Sequence, residues 1–237
     1  MRRISGMSVV LCVSALAATA GAATLLSADF AGLTPGQPVG IGGPTVGEPV
    51  SVDNCLATIR SAPFPSNCLE FDDEADYGTG GAVFEFLEDA EVTTGTVAIS
   101  AKLWFSEFDG YYFHLREHGG ASKSFNTIYL QESGAVLATD AAGSAGVVGH
   151  YEIGRAIDLR IVHDLDAGTY DFWWDGVLVV NDRAHGVVGR GVGGVYTGID
   201  HDTDLDGLFS LDDLLVTTGP ITANEAGSWG GVKAAWR

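Results

Sequence analysis

The sequence is short of positive charge, of cysteine and of long apolar runs, and each shortage removes a class of protein. Lysine and arginine together number 12 against 31 aspartates and glutamates, a formal charge of −19. A surface of that sign repels nucleic acid and anionic lipid, so neither is expected as a partner. It attracts divalent cations and suits a saline exterior, although solubility alone accounts for it equally well. A bilayer span needs roughly 20 consecutive apolar residues, and no such run is present, so no membrane insertion is expected. Inside the mature chain no stretch keeps helical spacing. Nucleophile-elbow, His-Glu-x-x-His, Cys-x-x-Cys and phosphate-binding Gly-Lys-Ser/Thr motifs are all missing.

The first residues, MRRISGMSVVLCVSALAATAGAA, carry Arg2 and Arg3, a short apolar run and small residues around 18–22. That is the pattern of a secretory signal peptide over 1–22, and it places the protein outside the cytoplasm, extracellular or periplasmic. Its removal makes the mature chain two charges more negative and takes Cys12 with it, leaving Cys55 and Cys68. An exported chain with two cysteines most simply joins them, so a Cys55–Cys68 disulfide is expected around a Pro-containing loop with no regular pattern. A bridge over a loop of that length stabilises by roughly 3 kcal/mol.

What the sequence has in quantity is glycine, 33 residues spread throughout, between short segments that alternate with a period of two. LLSADF, CLEFDD, AVFEFLE, GTVAISAKLWFSEF, YYFHLRE, NTIYLQE, AIDLRIVHDL, TYDFWWDGVLVVND, GVGGVYTGID and FSLDDLLVTT are the predicted strands. Asp175-Gly176 marks a two-residue hairpin turn. Many short strands at this spacing predict an all-β, antiparallel two-sheet sandwich over 23–218, followed by a flexible C-terminal tail over 219–237.

The stretch DTDLDGLFSLDD at 202–213 has calcium-loop spacing, with Asp202, Asp204 and Asp206 at positions one, three and five, Gly207 at six and Asp213 at twelve. Its flanks are β-branched rather than helical, so an EF-hand is not expected. Two readings stand: an acidic hairpin loop holding structural calcium, and a plain solvated acidic turn. On the following strand, strict alternation puts Asp213 on one face with Phe209, Leu211 and Leu215.

Three segments together resemble bacterial members of the concanavalin A-like lectin/glucanase superfamily, the laminin-G-like jelly rolls. They are LLSADFAGLTPGQPV, AIDLRIVHDLDAGTYDFWWDGVLVVND and GVGGVYTGIDHDTDLDGLFSLDDLLVTT. The resemblance implies two stacked antiparallel sheets and a binding face for an extracellular glycan, often near calcium. It also directs attention to side chains alternating away from the core. If Phe113, Leu115, Ile128 and Leu130 point inward, Tyr112, His114, Arg116, Tyr129, Gln131 and Trp173 form the expected ligand-binding set on one outer face. Aromatic rings stack on sugar rings, while imidazole, amide and guanidinium groups bond hydroxyls. The same residues are also ordinary furniture of an exposed sheet.

The glucanase signature Glu-x-Asp-x-x-Glu is not met. The run from Glu74 has Thr79 in the last place, and the run from Glu85 has Leu87 in the middle one. The Gly-x-Gly-x-x-Gly at 189–194 leads into a strand rather than a helix, so it does not read as a dinucleotide site. No catalytic residue is assigned. Non-catalytic glycan recognition is the leading expectation. A polysaccharide lyase or hydrolase using Tyr112, His114 and Arg116, and a structural surface or matrix component, are the alternatives.

Overall fold

The computed structural model describes residues 22–41, 49–53, 55–72, 80–119, 124–141, 143–186, 191–200 and 207–219. Asp202, Asp204 and Asp206, the signal segment and nearly all of the tail lie outside these residues.

Among the described residues fifteen strands follow one another: β1 (Ala23–Ala28), β2 (Ser51–Asp53), β3 (Leu56–Arg60), β4 (Cys68–Asp72), β5 (Gly80–Glu85), β6 (Thr96–Phe105), β7 (Gly110–Glu117) and β8 (Ser124–Leu130) in the first half. The second half holds β9 (Ala135–Asp140), β10 (Gly143–His150), β11 (Ile157–Asp164), β12 (Thr169–Trp174), β13 (Val177–Ala184), β14 (Val192–Asp200) and β15 (Leu208–Thr218). The only helical turn among the described residues is a single 3₁₀ turn at Leu87–Asp89.

The strands form two antiparallel sheets packed as a sandwich. One has eight strands in the order β13-β12-β11-β6-β15-β4-β3, with β1 also paired to β15. The other has seven, in the order β10-β9-β8-β7-β14-β5-β2. The period of two in the sequence does this directly: β6 alternates buried and half-buried residues along its whole length, and Val97, Ile99, Ala101, Leu103 and Phe105 are its core side. Phe71, Phe209 and Phe105 stand in one cross-strand row of the eight-stranded sheet, stacked at 5.3 and 5.4 Å. Tyr111 of the facing sheet packs against Phe105 at 4.7 Å, so aromatic contact joins the two layers.

Strand β15 departs from strict alternation. Its first half pairs with β4 and its second with β1, and a bulge separates the two, with Asp213 in the left-handed region at φ 51°. The bulge exchanges the faces. Phe209 and Leu211 are buried before it, Leu214 and Val216 after it, and Asp213 is turned outward. The expectation that Asp213 shares a face with Phe209, Leu211 and Leu215 is therefore corrected.

The Cys55–Cys68 disulfide is also corrected: no bond joins the two cysteines. The stretch read as irregular is a hairpin, with β3 paired to β4 so that Arg60 lies opposite Cys68 and Leu56 opposite Asp72. Cys55 thus sits at the far end of the ladder, five residues or about 16 Å from the point facing Cys68. A disulfide needs Cα atoms within about 7 Å. Cys68 is fully buried, and burial together with the carboxylates of Asp212 and Glu70 pushes its thiol up to about 11.

Candidate functional site

The outer face of the seven-stranded sheet is built by register. Phe113, Leu115, Ile128 and Val195 face the core, which leaves Tyr112, His114 and Arg116 of β7 and Tyr196 of β14 on the other side. Pairing then sets rows across the strands. One row runs Ser51, Val83, Tyr196, His114, Thr127. The rows beside it carry Asp53, Gly81, Gly198, Tyr112 and Tyr129 on one side, and Glu85, Gly194 and Arg116 on the other.

Glycine has a defined place in this arrangement. A methyl group at Gly198 would overlap the Gly80 carbonyl of β5, and one at Gly194 would meet the Phe84 carbonyl. The two glycines let β14 lie close against β5 and leave open floor on both sides of Tyr196.

The result is a groove of about 480 Å³ lined by Val50, Ser51, Asp53, Val83, Glu85, His114, Arg116 and Tyr196. Tyr196 packs against His114 at 5.1 Å and Tyr112 at 5.3 Å. The Arg116 guanidinium lies 5.7 Å from the Tyr196 ring centroid, within cation–π range. Tyr112 is nearly buried. Its hydroxyl donates to the Gly80 carbonyl at 2.9 Å and so accepts from the Tyr196 hydroxyl at 3.1 Å, since one phenol has a single proton to give. Burial, with the Arg116 charge second, lowers the His114 pKa to about 4, so the imidazole is neutral at neutral pH.

A smaller recess continues the groove past Arg116 and Glu85 to His118. There His118 Nε2 bonds Asp89 Oδ1 at 2.9 Å, which raises the imidazole pKa. Asp89 lies on the 3₁₀ turn, where Glu88 and Asp89 both have φ 56°.

Of the six residues expected to share a binding face, the structure places Tyr112, His114, Arg116 and Tyr129 on this sheet, with Gln131 just beyond the end of β8. His114 and Arg116 line the groove itself. Trp173 does not belong with them. It is on β12 of the other sheet, where it stacks with Arg160 at 4.9 Å, because the hairpin that carries it is an edge of the eight-stranded layer. Sequence reasoning missed Tyr196, Glu85, Asp53 and Ser51. The signal available for Tyr196 was a lone aromatic flanked by glycines two residues away on each side.

Of the expected metal ligands, only Asp213 lies among the described residues. The carboxylate is ion-paired with Lys102 of β6 and lies five residues into β15 from Leu208. Among the described residues no group of three or more His, Cys, Asp or Glu side chains gathers around a common point. No helix among them is long and apolar enough to cross a membrane.

No protein-family model matches the sequence, and no curated protein matches it. Solved structures do match the fold. A carbohydrate esterase from the Shiga toxin-encoding bacteriophage phi24B superimposes with TM-score 0.57 at 12% identity, over 84% of this chain and 100% of that one. A botulinum neurotoxin type C structure, whose cell entry is described as dependent on two ganglioside molecules, gives 0.54 at 11% identity over 85% and 49%. The sialidase of Trypanosoma rangeli in complex with 2,3-difluorosialic acid gives 0.53 at 15% identity over 88% and 32%. The chain thus spans about a third of that sialidase and about half of the toxin chain. At these identities the likeness is one of fold, a β-sandwich of jelly-roll type.

Proposed function

We propose that the protein is an exported, concanavalin A-like sandwich whose seven-stranded sheet binds an extracellular glycan on its outer face without catalysis. The observation that carries this reading is the groove over Tyr196. It combines an aromatic floor, a neutral imidazole, a guanidinium and two carboxylates in a space large enough for sugar rings. The structural neighbours lend support through their names, which refer to a sialidase, a ganglioside-dependent toxin and a carbohydrate esterase. An enzymatic reading needs an available base or acid at the substrate. Tyr112 is poorly suited, being nearly buried and committed to the Gly80 carbonyl. A purely structural surface component would leave the groove idle.

The reading keeps calcium as a structural cofactor held by Asp202, Asp204, Asp206 and Asp213, on the strength of their spacing alone. A rise in melting temperature on adding calcium, reversed by chelator, is its test.

The test of the glycan reading is a glycan array probed with the protein and with Tyr196→Ala. Retention of specific glycans by the parent and their loss in the variant is the expected result. An array blank for the folded parent would sink it.

A further inference from the structure

We propose, on the basis of that reading, that the groove selects saccharides bearing free amines and disfavours acidic ones. Three observations point this way. The first is the charge inside the groove. Glu85 and Asp53 line it from the β5 and β2 side, and among the described residues neither carboxylate meets a hydrogen-bond or ion-pair partner. Arg116 and His118 differ from them: Arg116 lies over the Tyr196 ring, and His118 is bonded to Asp89.

The second is what His114 does not contribute. A protonated imidazole beside Arg116 would make this wall a place for anions. Burial and Arg116 hold the ring neutral, so among the described residues the groove carries one positive group against two negative ones at neutral pH. The third is the field around it. The whole chain carries −19, which repels uronic and sialic acid polymers and raises the local concentration of cationic ones.

The geometry also gives a spacing. Asp53 pairs across from Gly81, and Glu85 is four residues further along β5, so the two carboxylates are separated by about 13 Å along the strand direction. The gap between them is occupied on this face by Ser51 and Val83. An oligosaccharide laid along the groove would put one ammonium at each end and an uncharged ring face over Tyr196.

The experiment compares three β-1,4-linked glucose-type tetrasaccharides that differ only at C2, where they carry hydroxyl, acetamido or ammonium, with sialyllactose as the acidic ligand. Binding is measured by titration calorimetry at pH about 6, where the amine is protonated. The ammonium sugar is expected to bind about tenfold more tightly than the other two, sialyllactose more weakly than all three, and the preference to shrink as salt is raised. In Glu85→Gln/Asp53→Asn the ratio of ammonium-sugar to hydroxyl-sugar affinity is expected to fall from about tenfold to about twofold, the remainder coming from the diffuse field of the chain. That variant removes only two of the chain's many negative charges, so diffuse attraction of a polycation survives in it. Equal binding of the three tetrasaccharides, preference for sialyllactose, or an ammonium preference undiminished in the variant would each overturn the inference and leave the glycan face standing. If a wider array also found no ligand, the glycan face would fall with it.

Discussion

Arg183 on β13 of the eight-stranded sheet reaches across to Asp140 on β9 of the seven-stranded sheet, with Nε to Oδ2 at 2.6 Å and Nη2 to Oδ1 at 3.1 Å. Tyr170 of β12 donates to the same carboxylate at 3.0 Å. The Asp140 side chain is fully buried, so it is a charge removed from water, and the Arg183 guanidinium and the Tyr170 phenol both hold it. The clasp closes the side of the sandwich where the edge strands β13 and β10 come together. A buried carboxylate with this much company is costly to disturb from either end. Asp140→Ala is expected to destabilise the fold by about 2 to 4 kcal/mol, because it leaves a buried phenol and a guanidinium without their acceptor. Chemical denaturation measures it, and the double variant with Arg183→Ala should fall short of the sum of the two single effects.

Close to this clasp, His163 lies in the core between Tyr170, stacked at 5.7 Å, and Phe125, edge-on at 6.0 Å, with His185 5.7 Å away. Burial, with His185 adding to it, lowers the His163 pKa to about 3 from an ordinary 6.5. The unfolded chain therefore takes up a proton between pH about 6.5 and 3 that the folded chain refuses. The stability from a neutral His163 is present above the unfolded pKa and is lost as pH falls through that window. His114, lowered to about 4, acts in the same sense. Unfolding free energy should drop by up to about 1.4 kcal/mol per pH unit for each such group between pH 6 and 4. His163→Phe should flatten the slope, as read from denaturant midpoints at each pH. A slope unchanged by the substitution would remove His163 from this account.

The close approach of β14 to β5 sets a third expectation. A Cβ at Gly198 would run into the Gly80 carbonyl, which is backbone in a paired strand and cannot swing aside. Gly198→Ala should lower stability by about 1 to 3 kcal/mol, well beyond the small effect of such a change in an open strand. It should also weaken ligand binding at Tyr196. Gly36→Ala, in a turn with φ 82° and open space around it, is the control: it should cost stability through backbone strain alone and leave binding intact.

Where alternation was strong, the sequence was easily read. The run at 96–105 is the strand β6, and Asp175-Gly176 turns β12 into β13. The strands that escaped notice lack that signal. β10 is glycine-rich and mostly exposed, β9 reads Ala-Val-Leu-Ala with no alternation, β2 has three residues, and β3 lies between cysteines and prolines that read as a loop. The bulge at Asp213 was not legible either, since it answers to two different partners, β4 and β1, that meet the same strand from one side. In the candidate site, the outward residues of β7 followed from parity, whereas sheet membership did not. Trp173 and Tyr112 have the same local pattern, and only the order of strands assigns them to opposite layers.

The placement of Trp173 separates two pictures of the binding face. It lies on the outer side of the eight-stranded sheet with Arg160 over its ring, a half-buried contact worth about 1 kcal/mol. Trp173→Ala should therefore change neither stability nor glycan affinity appreciably, while Tyr196→Ala should remove binding with a small loss of stability. Loss of binding on removing Trp173 alone would mean that the ligand sits on the opposite sheet, and the groove over Tyr196 would lose its claim.

The cysteines offer a check that needs no substitution. With β3 and β4 paired as they are, Cys55 and Cys68 cannot reach one another without dismantling the hairpin. A reducing agent should leave the melting temperature unchanged, and the intact mass should show no loss of two hydrogens. Cys68 should be slow to alkylate in the folded protein, because its thiol is buried and its pKa of about 11 leaves almost no thiolate at neutral pH. Its labelling should accelerate in step with unfolding in denaturant. Rapid reaction of Cys68 in the native state would show that the loop over residues 61–67 opens, and that the ladder between Arg60 and Cys68 frays from that end.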